Sequence, residues 1–337
     1  MPFVSIVIPS LNEQANIRKL LEAVYSQTFP RKDIEVIIAD GMSTDGTRAE
    51  IAAYADSHPD LHILVLDNLK RHIPAGLNCA LKEARGEIIV RLDAHSVPFP
   101  NYVEQCVADL QSGLGENVGG VWEIRPGADT WVGRSIAFAA AHPLGVGDAL
   151  YRRSEKSALV DTVPFGAFKR ELLAQIGSFD ESLLTNEDYE FNARIRKSGG
   201  RIWLDPSIRS VYIARASLSG LASQYFRYGF WKWRMLRRYP TTLRLRQALP
   251  PLFVLSLLGL GISGIFLPSF WILLAVEIIV YLAALTMAGV LAAKKHRMIS
   301  LVYGLPLAVS LMHISWGAGF LWSIIKGMFT DPITEKN

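Results

Sequence analysis

The chain has 337 residues, half of them hydrophobic and a fifth charged, with a mean hydropathy of +0.22. That balance excludes disorder, and two cysteines, Cys79 and Cys106, are too few for a disulfide scaffold or a Cys-based zinc site. The net charge of +4 hides three unlike parts. Residues 1–205 carry 21 basic and 28 acidic side chains, and residues 206–248 carry nine bases and no acid. From Leu249 onward five bases and three acids are scattered among long apolar runs. The sequence reads as an acidic domain (1–215), a basic collar (216–248) and an apolar tail (249–337).

The first 125 residues alternate strand and helix patterns. Phe3–Pro9 is a continuous β-rich run, as expected of a strand buried on both faces, and it reads as a strand and not as a signal peptide. Asn12 is placed to cap a helix whose apolar positions Ile17, Leu20, Leu21 and Val24 share one face. Ile34–Ala39 is the second strand, and Thr44 or Asp45 caps the next helix. Leu61–Leu66, Ala75–Ala84, Glu87–Leu92, Pro100–Gln111 and Val118–Glu123 continue the alternation. The pattern predicts an α/β fold with a mostly parallel sheet and ligands at the C-terminal strand ends. Polar clusters fall at those ends: Asn12-Glu13, Asp40 and Asp93-Ala94-His95.

No glycine cradle follows the first strand. A dinucleotide-binding domain should carry G-x-G-x-x-G there, and the sequence has P-S-L-N-E instead; a P-loop is also absent. A nucleotide would therefore need a metal held by D-x-H to neutralise its phosphates.

The segments V-S-I-V-I-P-S-L-N-E, V-I-I-A-D-G-M-S-T-D-G-T, A-G-L-N, L-D-A-H, G-S-F-D-E with N-E-D-Y-E, and Q-Y-F-R-Y stand in order over residues 3–230. They resemble the signature of family 2 glycosyltransferases. The resemblance implies an inverting enzyme of GT-A fold, Rossmann-like, that uses nucleotide-diphosphate sugars. D-A-H with a short apolar tail is similar to bacterial exopolysaccharide enzymes of the succinoglycan glucosyltransferase type.

The resemblance also implies roles. Asp40 would read the base by accepting the uracil N–H, and Pro9, Asn12 and Glu13 would hold base and ribose. Asp45 reads as a helix cap. Lys70, Arg71 and Asn78 would add phosphate or ribose contacts, with a solvated surface as the alternative. The family usually writes D-x-D around a divalent cation. Here Asp93 and His95 take those places, and the imidazole suits Mn²⁺ better than Mg²⁺. Strand alternation would put both on one side.

Glu187-Asp188 opens a helix. An inverting transfer needs a base for the acceptor hydroxyl, and the matching family position is Asp188, with Glu187 positioning the acceptor or the base. The plainer reading is that two acids favour a helix N-terminus. Gln224-Tyr225-Phe226-Arg227-Tyr228 resembles the family's Q-x-x-R-W with Tyr in place of Trp. Gln224 and Tyr228 would contact the acceptor sugar and Arg227 the diphosphate. His142–Arg153 and Asp161–Gly166 would shape the acceptor site, with Arg152 and Arg153 near a lipid diphosphate.

In the collar, aromatic residues interleave with bases from Tyr225 to Tyr239, which predicts a helix in the lipid headgroup layer. The runs 249–268, 269–293 and 299–325 each suffice to cross ~30 Å of hydrocarbon. Lys294-Lys295-His296-Arg297 and the collar are basic, while the Pro268-Ser269 loop has no charge. Three spans then place residues 1–248 in the cytoplasm at the plasma or inner membrane, with the C-terminus outside. The expected partners are a nucleotide-diphosphate sugar, a lipid-linked saccharide and the membrane, with no nucleic acid polymer. The expected cofactor is Mn²⁺ or Mg²⁺. Two other readings remain open at this point. A polyprenyl-phosphate sugar synthase needs no base, and a silent sugar-nucleotide sensor or scaffold would bind without turnover.

Overall fold

The computed structural model describes residues 2–329. β1 (Val4–Ser10) is buried along its whole length, and its alternation divides it between two cores. Val4, Ile6 and Ile8 pack with Ile17, Leu20, Leu21 and Val24 of α1 (Ile17–Tyr25). Val7 points the other way. β2 (Ile34–Asp40) is split in the same manner, with Val36 and Ile38 on the first core and Ile37 and Ala39 on the second. α2 (Thr47–Ser57), β3 (His62–Asp67) and α3 (Ile73–Glu83) follow, and α3 supplies Leu77, Ala80 and Leu81 to the second core. Then come β4 (Ile88–Arg91), β5 (Val97–Pro98), α4 (Tyr102–Gln111) and β6 (Asn117–Arg125).

After β6 the chain makes α5 (Trp131–Ala141) and α6 (Pro143–Val146), then β7 (Ala158–Leu159), β8 (Ala167–Lys169), α7 (Leu172–Ile176), α8 (Glu187–Lys197) and β9 (Ile202–Ile213). The strands form one nine-stranded sheet in the order β3-β2-β1-β4-β8-β6-β9-β5, with β7 on β9. β3, β2, β1 and β4 are parallel, whereas β8 joins β4 and β6 antiparallel, and β5 and β7 join β9 antiparallel. The sheet is therefore mixed, parallel only in its first half.

The chain divides into two units, residues 1–123 with 150–212, and residues 124–149 with 213–337. The second unit holds α5, α6 and four long helices: α9 (Leu218–Arg238), α10 (Leu245–Phe266), α11 (Ser269–His296) and α12 (Leu301–Phe329). α10, α11 and α12 are long and apolar enough to span a membrane. The helix that begins the tail starts four residues before Leu249, so that Arg244 caps α10.

Candidate active site

The loops after β1, β2 and β4 bring the first unit's polar residues together. Ser10 and Asp40 are register partners at the ends of β1 and β2. Asn12 does not cap α1, whose N-cap is Asn16. It sits instead at φ 54°, in the left-handed region that asparagine tolerates better than most residues. Its backbone N–H donates to Ser43 Oγ (2.8 Å) and its Oδ1 accepts from the Thr44 N–H (2.9 Å), clasping two loops. Asp45 lies one residue before the N-cap, Gly46, and accepts from the Thr47 N–H at 3.0 Å. Pro9 is buried in β1.

Asp40 is fully buried, yet both its oxygens are occupied. Oδ1 accepts from Ser43 Oγ (2.5 Å), while Oδ2 accepts from the Ser43 N–H (2.9 Å) and Arg48 Nε (2.6 Å). Burial pushes its carboxyl up, but the hydrogen bonds from Ser43 and Arg48 outweigh it and hold it below the usual range. Arg48 also donates to Asp67 Oδ1 (2.5 Å), so the carboxylate expected to read a base sits in an ionic network of the fold.

β4 stops at Arg91, so Asp93 and His95 lie on a turn and not on a strand. The alternation argument for placing them on one side does not apply. The turn is held by the Ser96 N–H and Oγ, both donating to the Asp93 carbonyl (2.9 and 2.7 Å). His95 Nδ1 lies 3.1 Å from Glu13 Oε1, and Glu13 Oε2 accepts from Asn16 Nδ2 at 2.8 Å. Burial raises the Glu13 carboxyl, and the hydrogen bonds from His95 and Asn16, with the charge of His95, bring it below its ordinary value. Among the described residues no three His, Cys, Asp or Glu side chains converge on one metal position.

Asn78 spends its amide on the G-S-F-D-E loop. Its Nδ2 donates to the Phe179 carbonyl (2.9 Å) and Glu181 Oε1 (3.0 Å), and its Oδ1 accepts from the Phe179 N–H (2.9 Å). Lys70 Nζ reaches the other Glu181 oxygen at 2.6 Å. Arg71 is in the left-handed region at φ 59°.

Arg91 is the residue that sequence reasoning missed. It is 2% exposed, and its Nη2 donates to Glu187 Oε1 (2.6 Å) and to Asp93 Oδ1 (3.1 Å). Nε and Nη1 are buried without a hydrogen-bond partner. The available signal was a single cation in an apolar run, two residues before D-A-H. Glu187 and Asp188 open α8 after Asn186, which is itself left-handed at φ 68°. Burial pushes the Glu187 carboxyl up to about 7 against the pull of Arg91, and raises Asp188 as well. Three carboxylates therefore share one guanidinium, which leaves the group short of positive charge. α8 is pinned to the segment around Asp161. Tyr189 Oη donates to Asp161 Oδ2 (2.9 Å), and Asn192 Nδ2 to Thr162 Oγ1 (2.9 Å).

Arg152 is buried among Trp122, Tyr151 and Tyr212, its guanidinium 4.9 Å from the Trp122 ring centre. Gln224, Arg227 and Tyr228 lie on α9 in the second unit. Gln224 Nε2 donates to Tyr228 Oη (2.9 Å), and Arg227 is exposed.

The family model for glycosyl transferase family 2 matches residues 5–177. The succinoglycan biosynthesis protein ExoA of Rhizobium meliloti (strain 1021) is 33% identical, over 94% of this chain and 93% of that protein. The chain belongs to glycosyl transferase family 2. It is a glycosyltransferase. A second relative, 28% identical over 98% of this chain and 99% of its own length, is from Methanococcus voltae. It is a dolichyl N-acetyl-alpha-D-glucosaminyl phosphate 3-beta-D-2,3-diacetamido-2,3-dideoxy-beta-D-glucuronosyltransferase. Among solved structures, the mannosyltransferase PcManGT from Pyrobaculum calidifontis, in complex with GDP-Man and Mn²⁺, has a TM-score of 0.64 at 22% identity. That match covers 97% of this chain and 88% of that one, and it shows that this chain has the GT-A type of mixed α/β core.

Proposed function

We propose that this glycosyltransferase moves a sugar, with inversion, from a nucleotide-diphosphate donor to a hydroxyl of a lipid-linked saccharide at the cytoplasmic face of the plasma or inner membrane. The observation that carries the reading is the Arg91 bridge, which ties the acid pair opening α8 to Asp93 of D-A-H. Donor diphosphate and acceptor hydroxyl must meet within a few ångströms for direct displacement, and that bridge brings their two candidate sites together.

In this reading Asp188 takes the acceptor proton as the hydroxyl attacks the anomeric carbon. Glu187, fixed by Arg91, holds the helix start and the acceptor in place. Burial raises both carboxyls of the pair, the direction that makes a carboxylate a better proton acceptor. Arg91 itself is buried and faces protein carboxylates, so it contributes positioning and charge balance. A UDP-hexose fits the donor role, with Pro9, Asn12, Glu13 and Asp40 framing the base and ribose and Lys70 and Asn78 on its flank. Gln224, Arg227 and Tyr228 are assigned to acceptor and diphosphate.

In this reading Asp93 and His95 would be the two side chains that hold a divalent cation, with Glu13 beside His95. A bound Mn²⁺ or Mg²⁺ would offset the charge of the departing diphosphate. The surplus of carboxylate over guanidinium around Arg91 supports such a cation. The two relatives' names support polysaccharide synthesis and a lipid-linked acceptor. The apolar helices and the basic aromatic α9 support a membrane location. A screen of nucleotide sugars on the purified full chain, read as nucleotide release with and without Mn²⁺ and with lipid-linked acceptors, tests the reading. Donor binding with no release under any condition would instead indicate a silent sensor.

A further inference from the structure

The three apolar helices are not alike. α10 and α11 form a hairpin whose contacts step regularly away from the turn at Leu267. A methyl placed on Gly264 would meet Trp271 at 2.8 Å, Ser256 Oγ donates to Glu277 Oε1 (2.5 Å), and Phe253 stacks on Tyr281 at 4.4 Å. α12 meets this hairpin at its open end. The position of a Cβ on Gly289 is 2.6 Å from the Leu301 carbonyl, Tyr281 Oη lies 2.9 Å from His313 Nδ1, and Trp316 Nε1 donates to the Gln247 carbonyl (3.2 Å). A Cβ on Gly317 would sit 2.5 Å from the Pro250 carbonyl.

From Leu301 to Gly317 a helix advances roughly 24 Å. A third span would use that length to climb from the open end of the hairpin toward its turn. Gln247 and Pro250 are instead still roughly 25–30 Å of helix from Leu267. α12 thus runs across the base of the hairpin.

Its second half lies against α9. A methyl on Gly229 would be 2.1 Å from the Trp316 carbonyl, and one on Gly319 would be 2.1 Å from the Phe226 carbonyl, so the two backbones touch. Trp233 packs on Phe320, and Lys326 Nζ lies 5.8 Å from the Phe230 ring centre. α9 carries Arg227, Lys232, Arg234, Arg237 and Arg238 along this stretch, with Arg227, Arg237 and Arg238 exposed. A crossing α12 would carry those cations into hydrocarbon, where they are costly. Protein also covers α12 most among the three: 44% of its most apolar stretch is buried, against 22% and 6%. Its exposed apolar residues Tyr303, Leu307, Ile314, Trp322, Ile325 and Met328 fall on a single face.

We infer that α12 does not cross the bilayer: α10 and α11 are the two crossings, and α12 lies with α9 in the anionic headgroup layer, apolar stripe inward. Its C-terminal end is then on the side from which α10 enters. This rests on the membrane reading above and changes its three-span topology to two.

The test uses full-length variants Leu245→Cys, Ser269→Cys and Lys326→Cys in native membranes. Each is treated with a membrane-impermeant PEG-maleimide in right-side-out spheroplasts and in inverted vesicles, with the parent's Cys79 and Cys106 as baseline. The expected result is a gel shift of Leu245→Cys and Lys326→Cys in the same preparation, and of Ser269→Cys in the opposite one. Lys326→Cys shifting together with Ser269→Cys would restore the three-span topology. If Lys326→Cys reacts only after detergent, α12 lies in hydrocarbon and the inference fails. Ser269→Cys reacting on the side of Leu245→Cys would overturn the crossing itself, and with it the membrane reading of the hairpin.

Discussion

Arg91 Nη2 lies 2.6 Å from Glu187 Oε1, a buried ion pair that joins the end of β4 to the first turn of α8 across 96 positions of sequence. Removing one partner of such a pair leaves the other charge stranded. Arg91→Met should therefore lower unfolding free energy by about 3–5 kcal/mol. The double variant Arg91→Met/Glu187→Leu should recover part of that loss without recovering transfer. Denaturant unfolding measures both, and an Arg91→Met protein within about 1 kcal/mol of the parent would show that the pair does not tie the two elements together.

The same pair sets a pH dependence. Burial raises the Glu187 carboxyl from 4.5 to about 7, with Asp188 also raised, so the folded state holds a proton that the unfolded state releases earlier. Stability from this source is fully present below 4.5 and is lost as pH rises through about 7. Transfer has the opposite sign, because a base must be ionised. A rate profile at saturating donor should rise through neutrality with an apparent pKa belonging to the Glu187–Asp188 pair. Glu187→Gln should shift that limb, and an unshifted profile would detach the pair from catalysis.

Asn12 offers a separate check on the nucleotide loops. Asn12→Ala loses the bond to the Thr44 N–H and strains the backbone at φ 54°. A loss of about 1–3 kcal/mol is expected, with weaker donor binding. Asn12→Gly keeps the backbone free and should retain more stability than Asn12→Ala. Equal stability of the two would mean that the left-handed conformation carries no strain.

The parallel half of the sheet was legible because β1, β2 and β4 are buried on both faces and, like the more exposed edge strand β3, read as mostly apolar runs. In the antiparallel half only β6 was legible, as the run Val118–Glu123. β5, β7 and β8 are two or three residues long, too short for any period to register. In the site, the acid pair opening α8 could be read from E-D before a helical pattern. The D-A-H turn could not, since a strand and the turn after it look alike at that length. Asn12 as a loop clasp depends on a left-handed backbone that a capping pattern does not reveal. Arg91 was hidden because its importance comes from burial and from a partner far away in sequence.

The charge surplus of the site leads to an expectation about metal. Turnover of donor should stop in excess chelator and return with Mn²⁺ more fully than with Mg²⁺. His95→Asp, which rebuilds the carboxylate pair, should narrow the difference between the two ions. Unimpaired nucleotide release in chelator would remove the cation from the account.

In the proposed mechanism Asp188 takes the acceptor proton. Asp188→Asn keeps the size of the side chain and loses the base, so donor affinity should stay near that of the parent while transfer falls roughly 10²–10⁴-fold. Asp93→Asn, measured beside it, should weaken donor binding instead. Near-normal transfer by Asp188→Asn, with donor affinity intact, would contradict the assignment and favour an acceptor, such as a polyprenyl phosphate, that needs no base.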